Sequence, residues 1–173
     1  MDRRIVVMSG YPGSGKSTLA VALAERLGFA LLSKDAVLAT LYTAFQFKPG
    51  DGDASLRTGA AAWAVFWMQA RCSPQAVLDT NIQWANQQQL DALRALGGTL
   101  VEVRCDCPVD LAKARFAERA RLGHAAQRFM VLDDERLAAY ARPLGVGALI
   151  EVDTAGAVDI DRVADRVRRE LAV

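Results

Sequence analysis

The feature that most constrains this chain is the stretch Gly10–Thr18 (GYPGSGKST), which fits the phosphate-loop pattern G-x-x-x-x-G-K-[ST]. It lies between a short apolar run, Ile5–Met8, and leucines at helical spacing, so we expect a buried strand before it and a helix after it. Glycines let backbone N–H groups turn toward phosphate oxygens, and the first turn of the helix adds a positive dipole. The stretch therefore predicts a site for the phosphates of a nucleotide.

Two residues of this loop have specific expected roles, and the whole loop is expected to surround the nucleotide. Lys16 is expected to neutralise the β and γ phosphates, and Ser17 is expected to bind Mg²⁺ through its hydroxyl. ATP and Mg²⁺ are the expected cofactors. ATP is expected rather than GTP because the chain has no N-K-x-D motif to read guanine. The alternative is a glycine-rich turn that only caps a helix. The residues expected to surround the nucleotide are Gly10, Tyr11, Pro12, Gly13, Ser14, Gly15, Lys16, Ser17 and Thr18.

Short apolar runs alternate with amphipathic segments along the whole chain. Strands are expected at 4–9, 29–32, 76–79, 99–105 and 148–153. Helices are expected after the phosphate loop and at 35–45, 55–72, 85–96, from Pro108 onward, 132–140 and 160–171, with a loop at 47–53. This alternation predicts an α/β fold with a five-stranded parallel sheet between two layers of helices. With 173 residues and no linker or repeat, we expect one domain over 1–173.

Charge and apolar run length exclude several classes of protein. Lys and Arg total 21 and Asp and Glu total 20, so the net charge of +1 provides no large footprint for duplex nucleic acid. The apolar runs are too short to span a bilayer, and the first residues lack the apolar core of a secretory signal. We therefore expect a cytoplasmic protein without a membrane partner.

Polar residues follow two of the expected strands at the points where those strands end. Ligands of open α/β sheets bind at the carboxyl ends of the strands. Asp79 is expected there to hold Mg²⁺ directly or through water, and Asp35 to accept a proton from an attacking hydroxyl. Asn81 is expected to contact the substrate that carries this hydroxyl. The alternatives are a capping or loop acid for Asp79 and a helix N-terminal acid for Asp35.

Arg115 and Arg119 lie four residues apart on the helix that follows Pro108. Like charges at this spacing repel unless an anion or acid lies between them. Glu118 can relieve part of the repulsion, and a transferring phosphoryl group can relieve all of it. We expect residues 115–133 to form a small helical lid that brings these arginines to the phosphates. The alternative is a solvated charged helix.

Trp63, Phe66, Trp67 and Ala70 are spaced three and four apart on the helix expected at 55–72. Such an apolar stripe normally faces the protein core. We therefore expect these side chains to pack in the interior rather than to form a site.

The phosphate loop, followed by a helix, a strand and Ser33-Lys34-Asp35, resembles the small P-loop kinases of the polynucleotide-kinase-like group, which are AAA-type ATP-binding proteins. Chloramphenicol phosphotransferase, gluconate kinase and zeta-toxin-type kinases have similar layouts. The segments 77–81 and 103–108 resemble the third and fourth strands of that group, and 152–156 resembles the segment near its adenine. The resemblance implies a sheet ordered 2-3-1-4-5. It also implies Asp35 as the acid that activates the acceptor, Arg115 and Arg119 as lid arginines, and Thr154 beside the nucleotide.

These observations predict an ATP-dependent phosphotransferase that moves the γ-phosphate to a hydroxyl of a small molecule, as a monomer or a homodimer. One alternative is a kinase of polynucleotide 5′-hydroxyls, against which the balanced charge and the small number of basic residues in the lid argue. Another is a nucleotide-dependent switch with slow ATP hydrolysis, which would need the aromatic stripe to be partly exposed.

Overall fold

The computed structural model describes residues 3–45, 52–121 and 132–172. Its five strands are β1 (Arg4–Ser9), β2 (Ala30–Ser33), β3 (Gln75–Asp79), β4 (Thr99–Asp106) and β5 (Ala148–Asp153). They form one sheet in the order β2-β3-β1-β4-β5, and every neighbouring pair is parallel. The expected fold class and sheet order are confirmed.

The described helices are α1 (Lys16–Leu27), α2 (Lys34–Phe45), α3 (Gly52–Cys72), α4 (Gln87–Arg94), α5 (Val109–Arg121), α6 (Asp134–Ala138) and α7 (Ile160–Leu171). The helices α4 and α6 are shorter than the helices expected at 85–96 and 132–140. The side chain of Asn86 caps α4 by accepting from the Gln89 N–H, and that of Asp133 caps α6 by accepting from the Arg136 N–H. The prediction of a loop at 47–53 is wrong at its C-terminal end, because α3 already begins at Gly52. Residues 46–51 lie outside the described residues.

Side chains of β1 alternate between two apolar cores, one on each face of the sheet. Val6 and Met8 pack on the face covered by α1 and α7, together with residues such as Leu23 of α1. Ile5 and Val7 pack on the opposite face, where Phe66 of α3 is fully buried. The molecule therefore has three layers, and its central strands are buried on both sides.

This arrangement positions the site because all five parallel strands end at one edge of the sheet. In the register of β2 and β3, Ser33 lies opposite Asp79. Of the lid expected at 115–133, residues 115–121 continue α5, and 122–131 lie outside the described residues. Among the described helices, none combines the length and the apolar character needed to cross a bilayer.

Candidate active site

The loop between β1 and α1 is shaped by three glycines in the left-handed region, Gly10, Gly13 and Gly15, with φ of 120°, 89° and 92°. Two of them also lie too close to neighbouring backbone for any side chain. A Cβ on Gly10 would lie 2.3 Å from the Cys105 carbonyl oxygen, and one on Gly13 would lie 2.1 Å from the Ala112 carbonyl oxygen. Glycine is therefore needed at both positions to seat the loop against β4 and α5.

Thr154 connects this loop to the end of β4 through hydrogen bonds. Its hydroxyl oxygen lies 2.7 Å from the carbonyl oxygen of Ser14 and 2.9 Å from that of Asp106, and its backbone N–H donates to Asp106 at 2.7 Å. The residue is 5% exposed. The resemblance predicts Thr154 beside the nucleotide, and in the structure its contacts hold the loop backbone in place.

Lys16 begins α1 and is 6% exposed. Its Nζ donates to the carbonyl oxygens of Gly10 and Tyr11 at 3.0 and 2.8 Å. Burial lowers the pKa of Lys16 to about 8, against the opposing attraction of acidic groups that include Asp79. The loop therefore holds a buried ammonium group whose charge an anion such as phosphate would stabilise.

Asp79 lies at the end of β3 between two hydroxyl groups. Ser17 Oγ donates to its Oδ1 at 3.2 Å, and Ser33 Oγ donates to its Oδ2 at 3.1 Å. Burial raises the pKa of Asp79, and the two hydrogen bonds act in the opposite direction. A hydroxyl and a carboxylate in contact form an all-oxygen donor set that suits Mg²⁺. Ser17 and Asp79 could hold this ion, with the remaining ligands supplied by nucleotide and water.

Asp35 lies in the first turn of α2 and has both carboxylate oxygens in hydrogen bonds. Lys34 Nζ donates to Oδ1 at 2.9 Å, and Asn81 Nδ2 donates to Oδ2 at 3.0 Å. The Asp35 side chain is 40% exposed. A carboxylate oxygen can accept a second hydrogen bond, so Asp35 is held in one orientation and can still accept from a hydroxyl.

Two cavities meet at the phosphate loop. The first, which we term the polar cavity, has a volume of about 300 Å³ and contains many of the expected site residues: Pro12, Lys16, Ser17, Asp35, Asp79, Asn81 and Arg119. The second, termed the apolar cavity, has a volume of about 870 Å³ and contains others: Gly15, Thr18, Arg115, Arg119 and Thr154. Gly13 and Arg119 line both, so the phosphate loop and one arginine form the junction.

The two arginines of α5 have different surroundings. Arg115 donates from Nη1 to the Thr154 carbonyl oxygen at 2.9 Å and from Nη2 to the Ala155 carbonyl oxygen at 3.0 Å. Arg119 makes no hydrogen bond or ion pair with the described residues. The expected relief by Glu118 is not seen, because Glu118 pairs with Arg121 at 2.7 Å. Arg119 therefore has a guanidinium group available at the junction, whereas Arg115 would have to leave two carbonyl groups to reach a phosphate.

The sequence predicts no site role for several residues that line the polar cavity: Lys34, Trp63, Gln83, Asn86, Gln89 and Tyr140. The helical spacing predicts both Trp63 and Phe66 in the core, but of these two only Phe66 is fully buried. The three amide residues could have been found, because they follow the carboxyl end of β3, where ligands of such sheets bind. Tyr140 gave no comparable signal, since it reaches the cavity from the segment after α6.

Comparison with known proteins identifies the family of the chain. The family model described as an AAA domain matches residues 5–143. Two similar curated proteins are an uncharacterized protein of Mycobacterium tuberculosis strain H37Rv and one of Mycobacterium bovis, each 31% identical over 68% of this chain and 26% of its own length. The chain thus spans about a quarter of the length of these relatives.

Solved structures with the same fold cover almost the whole chain. A protein of Chloroflexus aurantiacus, provisionally assigned as a kinase, has a TM-score of 0.82 and 24% identity over 99% of this chain and 100% of its own. Shikimate kinase from Acinetobacter baumannii, in complex with shikimate, has 0.63 and 18% over 98% and 94%. The APS kinase of Mycobacterium tuberculosis, in complex with AMPPNP and APS, has 0.62 and 22% over 99% of both chains. The chain belongs to the AAA domain family, and its fold is that of small P-loop kinases.

Proposed function

We propose that this protein is an ATP-dependent phosphotransferase that moves the γ-phosphate to a hydroxyl group of a small molecule. The observation that carries the proposal is the pair of cavities joined at Gly13 and Arg119. The apolar cavity can hold the base and ribose of ATP, and the polar cavity, which contains Asp35, can hold the acceptor. The γ-phosphate would then lie at the junction, between the two substrates.

In the proposed reaction, Asp35 accepts the proton of the acceptor hydroxyl as that oxygen forms a bond to the γ-phosphorus. The bond from the γ-phosphorus to the bridging oxygen breaks, and ADP leaves with the electron pair. Asn81 and Lys34 hold the carboxylate of Asp35 in position. Lys16 and Arg119 stabilise the negative charge on the phosphoryl oxygens. Mg²⁺, held by Ser17 and Asp79, would neutralise further phosphate charge when bound.

A small molecule is favoured over a nucleic acid as acceptor. Similar structures include a shikimate kinase in complex with shikimate and an APS kinase in complex with AMPPNP and APS, whose names indicate small acceptors. The polar cavity is small, at about 300 Å³. The balanced net charge of +1 also gives no broad basic surface for a polynucleotide.

The test is ADP release from Mg-ATP in the presence of fractionated cell extract. Small-molecule and nucleic-acid fractions are added separately, with Lys16→Ala as the inactive blank and Lys113→Ala, on α5 outside both cavity linings, as the matched control. We expect the small-molecule fraction alone to stimulate the wild type and the Lys113→Ala control. Stimulation by nucleic acid alone would instead support the polynucleotide kinase. Tight ATP binding without stimulation by either fraction would support the switch.

A further inference from the structure

The charged groups that line the polar cavity already have partners or lie at the site of phosphoryl transfer. Lys34 is bonded to Asp35 at 2.9 Å, and Lys16 belongs to the phosphate loop. Arg119 lies at the junction with the apolar cavity. A carboxylate or phosphate on the acceptor would need a cation of its own to offset its desolvation. The described lining holds no cation that is free for this purpose and separate from the transferring phosphate.

The remaining polar lining is made of neutral groups that both donate and accept hydrogen bonds. Gln83, Asn86 and Gln89 contribute carboxamides, and Tyr140 contributes a phenol, whose oxygen accepts from Gln83 Nε2 at 3.5 Å. Gln89 Oε1 is buried and has no hydrogen-bond partner among the described residues. Asn86 uses its side-chain oxygen to cap α4, which leaves its NH₂ group for another partner. Carboxamides and phenols both donate and accept, so this lining matches a ligand that brings several hydroxyls.

Trp63 adds an aromatic surface to the same cavity, with Lys34 Nζ 5.7 Å from its ring centroid. Its ring stacks against Trp67, with centroids 5.6 Å apart and planes 18° apart, and packs edge-on against Phe66. These contacts hold the indole in one orientation. A fixed aromatic ring beside amide groups provides both surfaces that a saturated hydroxylated ring needs, one for its C–H groups and one for its hydroxyls.

We infer that the phosphate acceptor is an uncharged, polyhydroxylated ring compound, with the hydroxyls that are not phosphorylated bound by Gln83, Asn86 and Gln89 and with its C–H groups against Trp63. This inference rests on the proposed function and specifies its substrate class. The volume of about 300 Å³ is at the lower end of ligand pockets and suits a single ring rather than an oligomer.

The test compares three pools of single-ring compounds as acceptors for the wild-type protein with Mg-ATP. The pools contain neutral monosaccharides and cyclitols, the corresponding sugar acids, and the corresponding phosphate monoesters. ADP release reports transfer, and quenching of tryptophan fluorescence without nucleotide reports binding beside Trp63. We expect stimulation and quenching by the neutral pool only.

Variants then test the contacts with the active compound of that pool. Gln89→Leu removes a carboxamide from the cavity lining, and Gln88→Leu makes the same change at an exposed neighbour that is absent from that lining. We expect Gln89→Leu to raise KM for the acceptor about tenfold, as the loss of one hydrogen bond does, with kcat and KM for ATP unchanged. Gln88→Leu should behave as the wild type.

The outcomes separate this inference from the proposed function. Stimulation by the acids or phosphate monoesters, but not by the neutral pool, would overturn the inference and leave the phosphotransferase standing. Absence of stimulation and quenching by all three pools would also overturn the inference, while the extract fractions decide independently whether transfer occurs. The pool comparison uses the wild type, so it holds even if Gln89→Leu fails to fold.

Discussion

Asn81 donates a hydrogen bond from Nδ2 to Oδ2 of Asp35 at a distance of 3.0 Å, although it lies 46 positions later in the chain. Asp35 is in the first turn of α2, and Asn81 follows β3, so the bond joins the carboxyl ends of two neighbouring strands. Lys34 holds the other oxygen of Asp35 at 2.9 Å. The orientation of this carboxylate is therefore fixed before any substrate binds, as expected of a group that must accept a proton in one direction.

Replacing Asp35 with Asn should abolish most of the transfer and preserve ATP binding. The amide keeps the shape and the hydrogen bonds of one oxygen but cannot take the proton, so we expect a loss of about 10²–10⁴-fold in kcat. ADP release at saturating acceptor measures the rate, and calorimetry measures ATP affinity. Asp53→Asn, at an 87% exposed side chain of α3, is the matched control and should match the wild type. Transfer at the wild-type rate by Asp35→Asn would show that another group is the base.

The difference between Arg119 and Arg115 predicts different kinetic defects. Arg119→Ala should lower kcat by about 10²-fold or more with little change in KM for ATP, because its guanidinium has no partner among the described residues and can stabilise the transferring charge. Arg115→Ala should chiefly raise KM for ATP, because its carbonyl contacts hold Thr154 and Ala155 beside the apolar cavity.

Steady-state kinetics over both substrates separates these two effects. Arg94→Ala is the control, since Arg94 is on α4, pairs with Asp91 and lines neither cavity. A large fall in kcat for Arg115→Ala, equal to that for Arg119→Ala, would mean that both arginines reach the phosphates during the reaction. That result would support the pair of lid arginines that the sequence predicts.

The strands were predictable because their signal is local. The run Ile5–Met8 is apolar on both sides, which is typical of a strand buried between two helical layers, and the observed β1 (Arg4–Ser9) has the expected bounds. The phosphate loop was also predictable, because its backbone geometry depends on glycines at fixed positions. Glycine at 10 and 13 is required by carbonyl groups of β4 and α5, but the spacing alone already implied the loop.

The polar cavity was only partly predictable, because helical periodicity does not say what a buried side faces. The spacing of Trp63 and Phe66 indicates that both turn toward the body of the protein. Phe66 is buried in the apolar core on the α3 face of the sheet, whereas Trp63, almost one turn earlier, is only partly buried against this core and also lines the polar cavity. Tyr140 was not predictable, because it depends on tertiary contacts between β4 and the segment after α6.

Lys16 predicts a contribution to stability that rises with pH, whereas the buried Cys105 thiol, whose pKa burial raises to about 12, acts in the opposite direction above about pH 9. Burial lowers the pKa of Lys16 in the folded protein to about 8, from 10.5. Between these values the unfolded chain binds a proton at Lys16 that the folded chain does not, so the contribution of Lys16 to the free energy of unfolding increases with pH. The penalty for burying the charge is complete below about pH 8 and is relieved by about pH 10.5, a change of about 3 kcal/mol.

Urea denaturation of the wild type and Lys16→Met without nucleotide, at several values from pH 7 to pH 10.5, measures this effect. Subtracting the variant cancels the titration of other groups, and we expect the difference, wild type minus variant, to increase with pH. A flat difference would mean that Lys16 is hydrated in the folded protein. Saturating Mg-ATP should reduce the slope for the wild type, because phosphate charge stabilises the protonated form.

Two buried charged residues of β4 hold the segment that carries Tyr140. Glu102 is fully buried and accepts hydrogen bonds from the backbone N–H groups of Leu144 and Gly145 at 2.9 and 3.1 Å. Arg104, two residues later, donates to the carbonyl oxygen of Tyr140 at 3.3 Å. The backbone on both sides of the turn is thus fixed to the sheet, and Tyr140 is positioned in the polar cavity as a result.

Glu102→Ala should therefore lower the free energy of unfolding by about 3 kcal/mol, because it leaves buried N–H groups without an acceptor. Where the protein still folds, KM for the acceptor should rise while KM for ATP stays unchanged, since only the polar cavity loses its support. Urea denaturation and two-substrate kinetics measure the two effects. Glu151→Ala, at an exposed position of β5, should change neither. A loss of stability without the change in acceptor KM would show that Tyr140 keeps its place without Glu102, and that the buried carboxylate serves the fold alone.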